Sequence, residues 1–294
     1  MVSWNLDSRP TGLLDAKVEL LRHLEPDIAL LQEIGRSVYR ALLPHPSAHE
    51  RMHNRSRIFS WGALSTDLSR PRGSEYRLGC AVLGAPSTAL LTSQLLDAAP
   101  FEIADPARLS FLRRTVATRV AIPGSRLLTA CSFHARRPAR QPADLLTRAF
   151  HAGIAGWLAG QPAPVVFGMD THAPAVDHPD FRRSSFSLPA PPGGGPGEDQ
   201  LLGPDAAHGL DDVLRRHLDR HPDQLARIRV ERPDGPLAIS RCLSSRPARH
   251  HHIWATRDLE VIDVRYLYDE AVAAGSDHAL VLADFETASP PRWS

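Results

Sequence analysis

Short apolar runs of strand length recur along the chain, and acidic residues, asparagine and histidine stand at their ends. Taken singly, each such residue has an ordinary explanation as a turn cap, a solvated strand end or a structural histidine. Rigid scaffolds place catalytic side chains at strand ends and in adjoining loops, so the recurrence indicates one shared site. The residues concerned are Asn5, Asp7, Glu33, His134, Asp170, His172, Asp277 and His278.

Helical patterns separate many of these strand-like runs. Apolar residues from Leu13 to Leu24 recur at helical spacing, and Pro26 ends the predicted helix. Residues 144–158 and 210–221 are also predicted to be helical. Residues 115–134 alternate around a Pro-Gly-Ser turn, which is typical of a β-hairpin. This mixture of strands and helices predicts an α/β fold.

Two segments lack an apolar pattern. Residues 45–75 are polar and are expected to be irregular. Residues 187–209 are rich in proline and glycine, which predicts a mobile loop. Strand-like segments continue on both sides of this loop, so we interpret it as an insertion within a single domain spanning 1–294. It follows the Asp170 region directly and is a candidate lid over the site.

Composition excludes several classes of protein. No apolar run approaches the ~20 residues of a membrane span. The first residues also lack the basic and apolar segments of a signal peptide. Three widely separated cysteines form neither a disulfide framework nor a metal-binding pair. We therefore expect a cytoplasmic protein with no membrane attachment, and no feature indicates an obligate protein partner.

The charge balance bears on the substrate. A formal net charge of +1 produces no broad field to attract long nucleic acid, which favours a small molecule or a small phosphate ester. Lys17 is the single lysine among 34 basic residues, a bias typical of a GC-rich bacterial genome. Arg136 and Arg137 follow His134 in the sequence after one alanine and are candidate substrate-binding residues. A solvated surface is the alternative interpretation for this pair, because arginine is abundant throughout.

Several stretches together resemble the endonuclease/exonuclease/phosphatase superfamily, which includes AP endonucleases, pancreatic-type DNases, sphingomyelinases and inositol-polyphosphate phosphatases. The similar stretches are SWNLDSR, PDIALLQE, GCAVL, SFH, GMDTH and GSDHALVLADF, and they span nearly the whole chain. The resemblance implies the DNase I-like fold, a four-layer sandwich of two packed, mixed and mainly antiparallel sheets flanked by helices. It also implies phosphodiester or phosphomonoester hydrolysis with one or two divalent cations.

The same resemblance implies roles for individual residues. Glu33 is the principal metal carboxylate, Asn5 and Asp7 lie at the same or a second metal, and Asp277 completes the shell. Such oxygen ligands suit Mg²⁺ or Mn²⁺. Asp170 orients or deprotonates the attacking water, since a carboxylate near a metal stays ionised. His278 hydrogen-bonds a non-bridging oxygen, and His134 lies beside the leaving oxygen as donor or general acid.

Two positions depart from the family pattern. His172 stands where the family has asparagine, two residues after the catalytic aspartate. His251 falls where the family has an aspartate that orients the histidine of the SDH motif. A neutral imidazole cannot stabilise an imidazolium as a carboxylate does. We predict that both histidines belong to the catalytic site. Imidazole ligands would also suit a transition metal other than Mg²⁺.

These observations predict a divalent-metal-dependent phosphoesterase. One alternative is a repurposed, non-hydrolytic acid/base enzyme of specialised metabolism that uses the histidine-rich site on the same scaffold. A third is a catalytically inactive binding protein, which the retention of Glu33, Asp170, Asp277 and His278 disfavours.

Overall fold

A computed structural model describes most of the chain. The described residues are 1–7, 13–43, 58–65, 78–94, 114–124, 126–135, 143–172, 176–184, 198–243 and 246–287. No helix within these ranges is long and apolar enough to cross a membrane.

Fourteen strands run through the described residues. The first seven are β1 (Val2–Asn5), β2 (Ile28–Ile34), β3 (Trp61–Leu64), β4 (Gly79–Gly84), β5 (Ala89–Gln94), β6 (Thr115–Ala121) and β7 (Leu128–His134). The remaining seven are β8 (Val165–Asp170), β9 (Asp211–Asp212), β10 (Arg241–Leu243), β11 (Arg246–Ala248), β12 (His251–Ala255), β13 (Leu259–Leu267) and β14 (Leu280–Thr287).

Seven α-helices lie within the same ranges. They are α1 (Leu14–Leu24), α2 (Arg36–Leu42), α3 (Ala143–Ala159), α4 (Glu198–Leu202), α5 (Val213–Arg220), α6 (Pro222–Glu231) and α7 (Tyr268–Ala273). Helix α1 ends where Glu25 adopts a left-handed φ of 44° and donates its N–H to Leu21 O at 3.1 Å. Pro26 then prevents further helix. Helix α5 begins at Asp212, whose carboxylate accepts from the N–H groups of Leu214 and Arg215.

The strands form two six-stranded sheets, each with one parallel pair. The first sheet has the order β13-β14-β1-β2-β4-β3, and β1 and β2 are its parallel neighbours. The second has the order β5-β6-β7-β8-β12-β9, and β7 and β8 are its parallel neighbours. All other pairs are antiparallel, including the small β10–β11 ribbon.

The two sheets pack face to face with helices outside. The core between them includes Leu30 and Val82 from the first sheet and Ala130 and Val166 from the second. Helices α1 and α7 pack on the outer face of the first sheet, where Leu21 joins Trp4. Helix α3 covers the outer face of the second. This four-layer α/β sandwich confirms the expected fold class.

Two sequence predictions need correction. Within 45–75, predicted irregular, Trp61–Leu64 forms an edge strand that pairs with β4. Within 187–209, predicted to be a loop, Glu198–Leu202 is helical, because Leu201 and Leu202 are fully buried against the second sheet. Neither element is long enough for its periodicity to be visible in the sequence. Residues 187–197 lie outside the described part of the chain.

Candidate active site

Strand ends from both sheets meet at one edge of the sandwich. In the first sheet the parallel pairing places Asn5 opposite Gln32. Asn5 and Glu33 therefore lie at the same end of the β1–β2 pair. In the second sheet β8 ends at Asp170, which lies opposite His134 of β7 and His251 of β12. The recurrence of polar residues at strand ends predicts one shared site, because rigid scaffolds place catalytic side chains there.

Asp170 lies at the centre of the cluster and is fully buried. Asn5 Nδ2 donates to its Oδ2 at 2.7 Å, which links the two sheets. Burial by itself raises the pKa of this carboxyl, but the four imidazoles around it hold that pKa well below its usual range. Those rings belong to His134, His172, His251 and His278, each with a nitrogen 3.7 Å from an Asp170 oxygen. Asp170 is therefore ionised at neutral pH.

Three site residues have left-handed backbone conformations. Their φ angles are 41° at Asp7, 50° at Glu33 and 54° at His172. Among the described non-glycine residues, Glu25 at the end of α1 is the only other with positive φ. This conformation costs a residue with a Cβ atom free energy, and such residues cluster at functional sites. Asp7 and His172 follow the ends of β1 and β8, and Glu33 lies within β2 where the pairing with β4 is irregular.

His134 is buried at the end of β7, next to Arg114. Its Nδ1 lies 3.3 Å from Arg114 Nη1, and its Nε2 lies 3.5 Å from Glu33 Oε1. Among the described residues, Nε2 has no hydrogen-bond partner. Burial, the largest cause, lowers the pKa of His134 to about 3; the charge of Asp170 opposes this shift and that of Arg114 adds to it. The ring is therefore neutral at pH 7.

His251 and His278 form a buried imidazole pair. His251 Nε2 and His278 Nδ1 are 2.7 Å apart, a hydrogen-bond distance. His278 Nε2 lies 3.2 Å from Asp277 Oδ1. A carboxylate accepts only, so the neutral ring of His278 carries its proton on Nε2, and Nδ1 accepts from His251. Burial is the largest cause that lowers the pKa of His251 to about 4 and that of His278 to about 2.

Backbone contacts anchor the SDH motif against the first strand. Trp4 Nε1 donates to His278 O at 3.1 Å, and Ser276 Oγ donates to Asn5 O at 2.8 Å. Ser276 Oγ also accepts from the His278 N–H. The segment that precedes β14 is thereby held beside the end of β1.

The candidate metal carboxylates Asp7, Glu33 and Asp277, all within the described ranges, form no compact group of their own, whereas the histidines gather around Asp170. Asp277 is half-exposed, and its Oδ2 accepts from Arg241 Nη2 at 2.6 Å. Two groups within the described ranges have potential ligand atoms within 4.8 Å of one another, and neither contains Glu33, Asp7 or Asp277. The groups are His134, Asp170 and His172, and Asp170, His251 and His278.

Some residues of the site were not identified from the sequence. Arg114 and Arg241 belong to no motif, and His250 was seen only as part of the histidine run beside His251. His250 is buried with its ring 6.3 Å from that of His172, and burial is the largest cause that lowers its pKa to about 3. The candidate substrate-binding residues Arg136 and Arg137 lie outside the described residues.

Comparison with known proteins identifies the fold. No protein-family model matches the chain, and no curated protein matches its sequence. Similar solved structures include a humanized D. rerio TDP2 with a TM-score of 0.60 and 14% identity, covering 97% of this chain and 98% of that one. The human Nocturnin catalytic domain with bound sulfate anion has a TM-score of 0.58 and 15% identity, with coverage of 97% and 93%. An endonuclease/exonuclease/phosphatase from Beutenbergia cavernae has a TM-score of 0.56 and 17% identity, with coverage of 99% and 72%.

Proposed function

From the endonuclease/exonuclease/phosphatase fold that this chain adopts and the cluster around Asp170, we propose that the protein hydrolyses phosphate esters with a divalent cation. The observation that carries this proposal is the buried, ionised Asp170 bonded to Asn5 and ringed by four imidazoles. Phosphoester hydrolysis uses a carboxylate to orient or deprotonate water and donors to bind phosphoryl oxygens. A sulfate anion, similar to phosphate in shape, is bound in the similar Nocturnin structure.

The oxygen atoms of Asn5, Asp7 and Glu33 would hold the cation. Asn5 is opposite Gln32, the residue before Glu33, and Asp7 follows two residues after Asn5; the Glu33 side chain is 24% exposed and thus open to a ligand. Carboxylate and amide oxygens are the donors that Mg²⁺ and Mn²⁺ prefer. When bound, the cation would polarise a phosphoryl oxygen and neutralise developing charge. Asp277 would join this set by giving up its ion pair with Arg241.

A transition metal on the imidazole groups fits less well. A metal-bound histidine usually donates its other ring N–H to a carboxylate or carbonyl. In the first group, the other nitrogen of His134 faces the Arg114 guanidinium instead. In the second, binding through His278 Nδ1 would break its hydrogen bond to His251. We therefore propose that Mg²⁺ or Mn²⁺ binds the oxygen ligands, and that neither imidazole group holds a metal.

The remaining chemistry belongs to this chain's own side chains. Asp170, held by Asn5, would orient the attacking water and accept its proton. His278 would donate its Nε2–H to a phosphoryl oxygen, and His172 would replace the amide donor of the family. We propose a small phosphate ester as substrate, with Arg136 and Arg137 among the residues that bind it. We also propose that the chain forms a single domain, that it acts in the cytoplasm and that it needs no obligate protein partner.

A second candidate is a non-hydrolytic acid/base reaction on a small molecule. The His251–His278 pair favours it, because two hydrogen-bonded imidazoles can relay a proton to or from a small molecule. No cation is needed for such a step.

Turnover of model esters separates the two candidates. Bis(4-nitrophenyl) phosphate and 4-nitrophenyl phosphate are incubated with the protein in Mg²⁺, Mn²⁺ or chelator. We expect cation-dependent release of nitrophenol, and an Asp170→Asn variant should lose roughly 10²–10⁴-fold in kcat, the range for a general base. Asp263→Asn, on a half-exposed side chain of β13 paired with Arg265, is the matched control. No turnover with any divalent ion by a folded protein would refute the hydrolase proposal.

A further inference from the structure

Arg114 and His134 are joined by their backbones as well as their side chains. The His134 N–H donates to Arg114 O at 2.9 Å, where the start of β6 meets the end of β7. Arg114 Nη1 donates to Ala135 O at 2.8 Å and lies 3.3 Å from His134 Nδ1. Two contacts thus hold the guanidinium on one side of the imidazole, and the backbone bond holds Arg114 beside His134 where β6 begins and β7 ends.

Arginine constrains the tautomer of this histidine. A guanidinium has five N–H donors, no acceptor, and stays protonated in proteins. His134 Nδ1 must therefore accept the hydrogen bond. A neutral imidazole with an accepting Nδ1 carries its proton on Nε2.

The opposite side of the ring agrees with this assignment. His134 Nε2 faces Glu33 Oε1 at 3.5 Å and Asp170 Oδ2 at 3.7 Å. An Nε2–H points toward both negative oxygens, whereas an Nε2 lone pair would be repelled by them. The alternative tautomer would also direct its Nδ1–H at the arginine, so it is disfavoured on both sides.

We infer that Arg114 is a positioning residue that holds neutral His134 in its Nε2–H tautomer, with that N–H aimed into the space between Glu33 and Asp170. A neutral imidazole N–H donates a hydrogen bond but does not readily release its proton. His134 is then a fixed hydrogen-bond donor to a phosphoryl oxygen rather than a general acid or a metal ligand. This donor role rests on the proposed phosphoester function, whereas the tautomer does not.

The tautomer is measured directly by NMR of protein carrying ¹⁵N-labelled histidine at pH 8. The His134 ring signals are those that vanish in His134→Asn. We expect a protonated Nε2 and an unprotonated Nδ1 in the wild type and in Arg114→Lys, since lysine also only donates. In Arg114→Gln the amide oxygen can accept from Nδ1–H, and both tautomers should appear. A wild-type Nδ1–H tautomer, or a glutamine variant identical to the wild type, would overturn the inference.

The donor role is tested by a double-mutant cycle on the affinity for inorganic phosphate, measured by calorimetry. Arg114→Gln should weaken binding by roughly tenfold in the wild-type background and less than about twofold in His134→Asn, because residues that act through one another are not additive. An equal loss in both backgrounds would mean that Arg114 acts through its charge alone. Wild-type protein that shows the expected tautomer but binds no phosphate would refute the proposed function and leave the tautomer assignment standing.

Discussion

At the scale of single residues, His251 stands where the resemblance to the endonuclease/exonuclease/phosphatase superfamily implies an aspartate beside the SDH histidine. The imidazole preserves a hydrogen bond to His278 at 2.7 Å, but it brings no negative charge to that ring. The fully buried Asp170, 3.7 Å away, is the nearby carboxylate that remains on this side. Although Asp277 lies 3.2 Å from His278 Nε2, a proton on His278 is therefore less stabilised here than it would be with an aspartate in place of His251.

Restoring the carboxylate should raise hydrolysis. We expect His251→Asp to exceed His251→Asn by about tenfold or more in kcat for 4-nitrophenyl phosphate, because only the aspartate variant adds a negative charge at this position to stabilise a protonated His278. The asparagine variant has the same shape and controls for geometry. Equal rates for the two variants would mean that charge at this position does not influence the reaction, which would favour the acid/base candidate.

His172 is a candidate site residue with an unfavourable backbone conformation. Asparagine tolerates a positive φ better than most residues and can donate through its amide. His172→Asn is therefore expected to keep or increase phosphoesterase turnover without loss of stability. His172→Val, β-branched at a φ of 54°, should lower the free energy of unfolding by about 1–2 kcal/mol in urea denaturation. A hundredfold loss of turnover in the asparagine variant would show that the imidazole does what an amide cannot.

At the scale of elements, a buried ion network ties β12 to helix α5. Arg249, which precedes β12, is almost fully buried and donates to both oxygens of Asp212 at 2.7 Å. It also donates to Tyr266 Oη, which in turn donates to His251 O at 2.8 Å. The network therefore fixes the strand that carries the site histidine.

This network predicts a pH dependence of stability. Burial alone raises the pKa of Asp212, but Arg249 outweighs it and holds that pKa far below its usual range. The folded pKa lies below the unfolded ~3.9, so the stabilisation is complete above about pH 5 and is lost as pH falls further. Asp212→Asn should cost about 3 kcal/mol at pH 7 in urea unfolding and flatten the decline between pH 5 and 3.

The neighbouring carboxylate is the control for this experiment. Asp211 pairs with exposed Arg257 across the surface, so Asp211→Asn should change stability by less than about 0.5 kcal/mol at either pH. If the two variants behaved alike, the Arg249 network would not be a major stabilising element.

At the scale of the whole molecule, the approach of the two sheets determines where the site forms. Gly168 of β8 faces the first sheet so closely that a Cβ atom there would lie 2.4 Å from Ser3 Oγ and 3.0 Å from Leu30 Cβ. Gln32 Nε2 donates to Ser132 Oγ at 3.0 Å across the same interface. Asn5 then reaches Asp170 only because β1 and β8 are this close.

A methyl group at this contact should separate the sheets. We expect Gly168→Ala to lower the free energy of unfolding by about 1–3 kcal/mol and to reduce turnover, because Asp170 lies two residues further along β8. Gly156→Ala is the matched control, since a Cβ there meets nothing within 4 Å and alanine favours helix α3. It should stabilise the protein slightly. A Gly168→Ala variant as stable and active as wild type would contradict the close-packing argument.

Periodicity and motifs in the sequence determined the longer elements, the α/β class and the strands that carry Asn5, Glu33, His134 and Asp170. These features are local: alternation, helical spacing and turn residues act within about ten residues, so they are readable without a structure. The histidines at positions 172 and 251 were also recognisable, because each departs from the pattern of the family that its stretch resembles.

Only the tertiary structure decided which charges meet. Arg114 lies 20 residues from His134, and Arg241 lies 36 residues from Asp277. Arginines are common throughout this chain, so nothing in the sequence singles out these two. Asp277 accordingly pairs with Arg241 rather than forming a compact group with Glu33. Electrostatic partners are selected by distance in the packed fold, and for residues far apart in the chain that distance arises only when the two sheets come together.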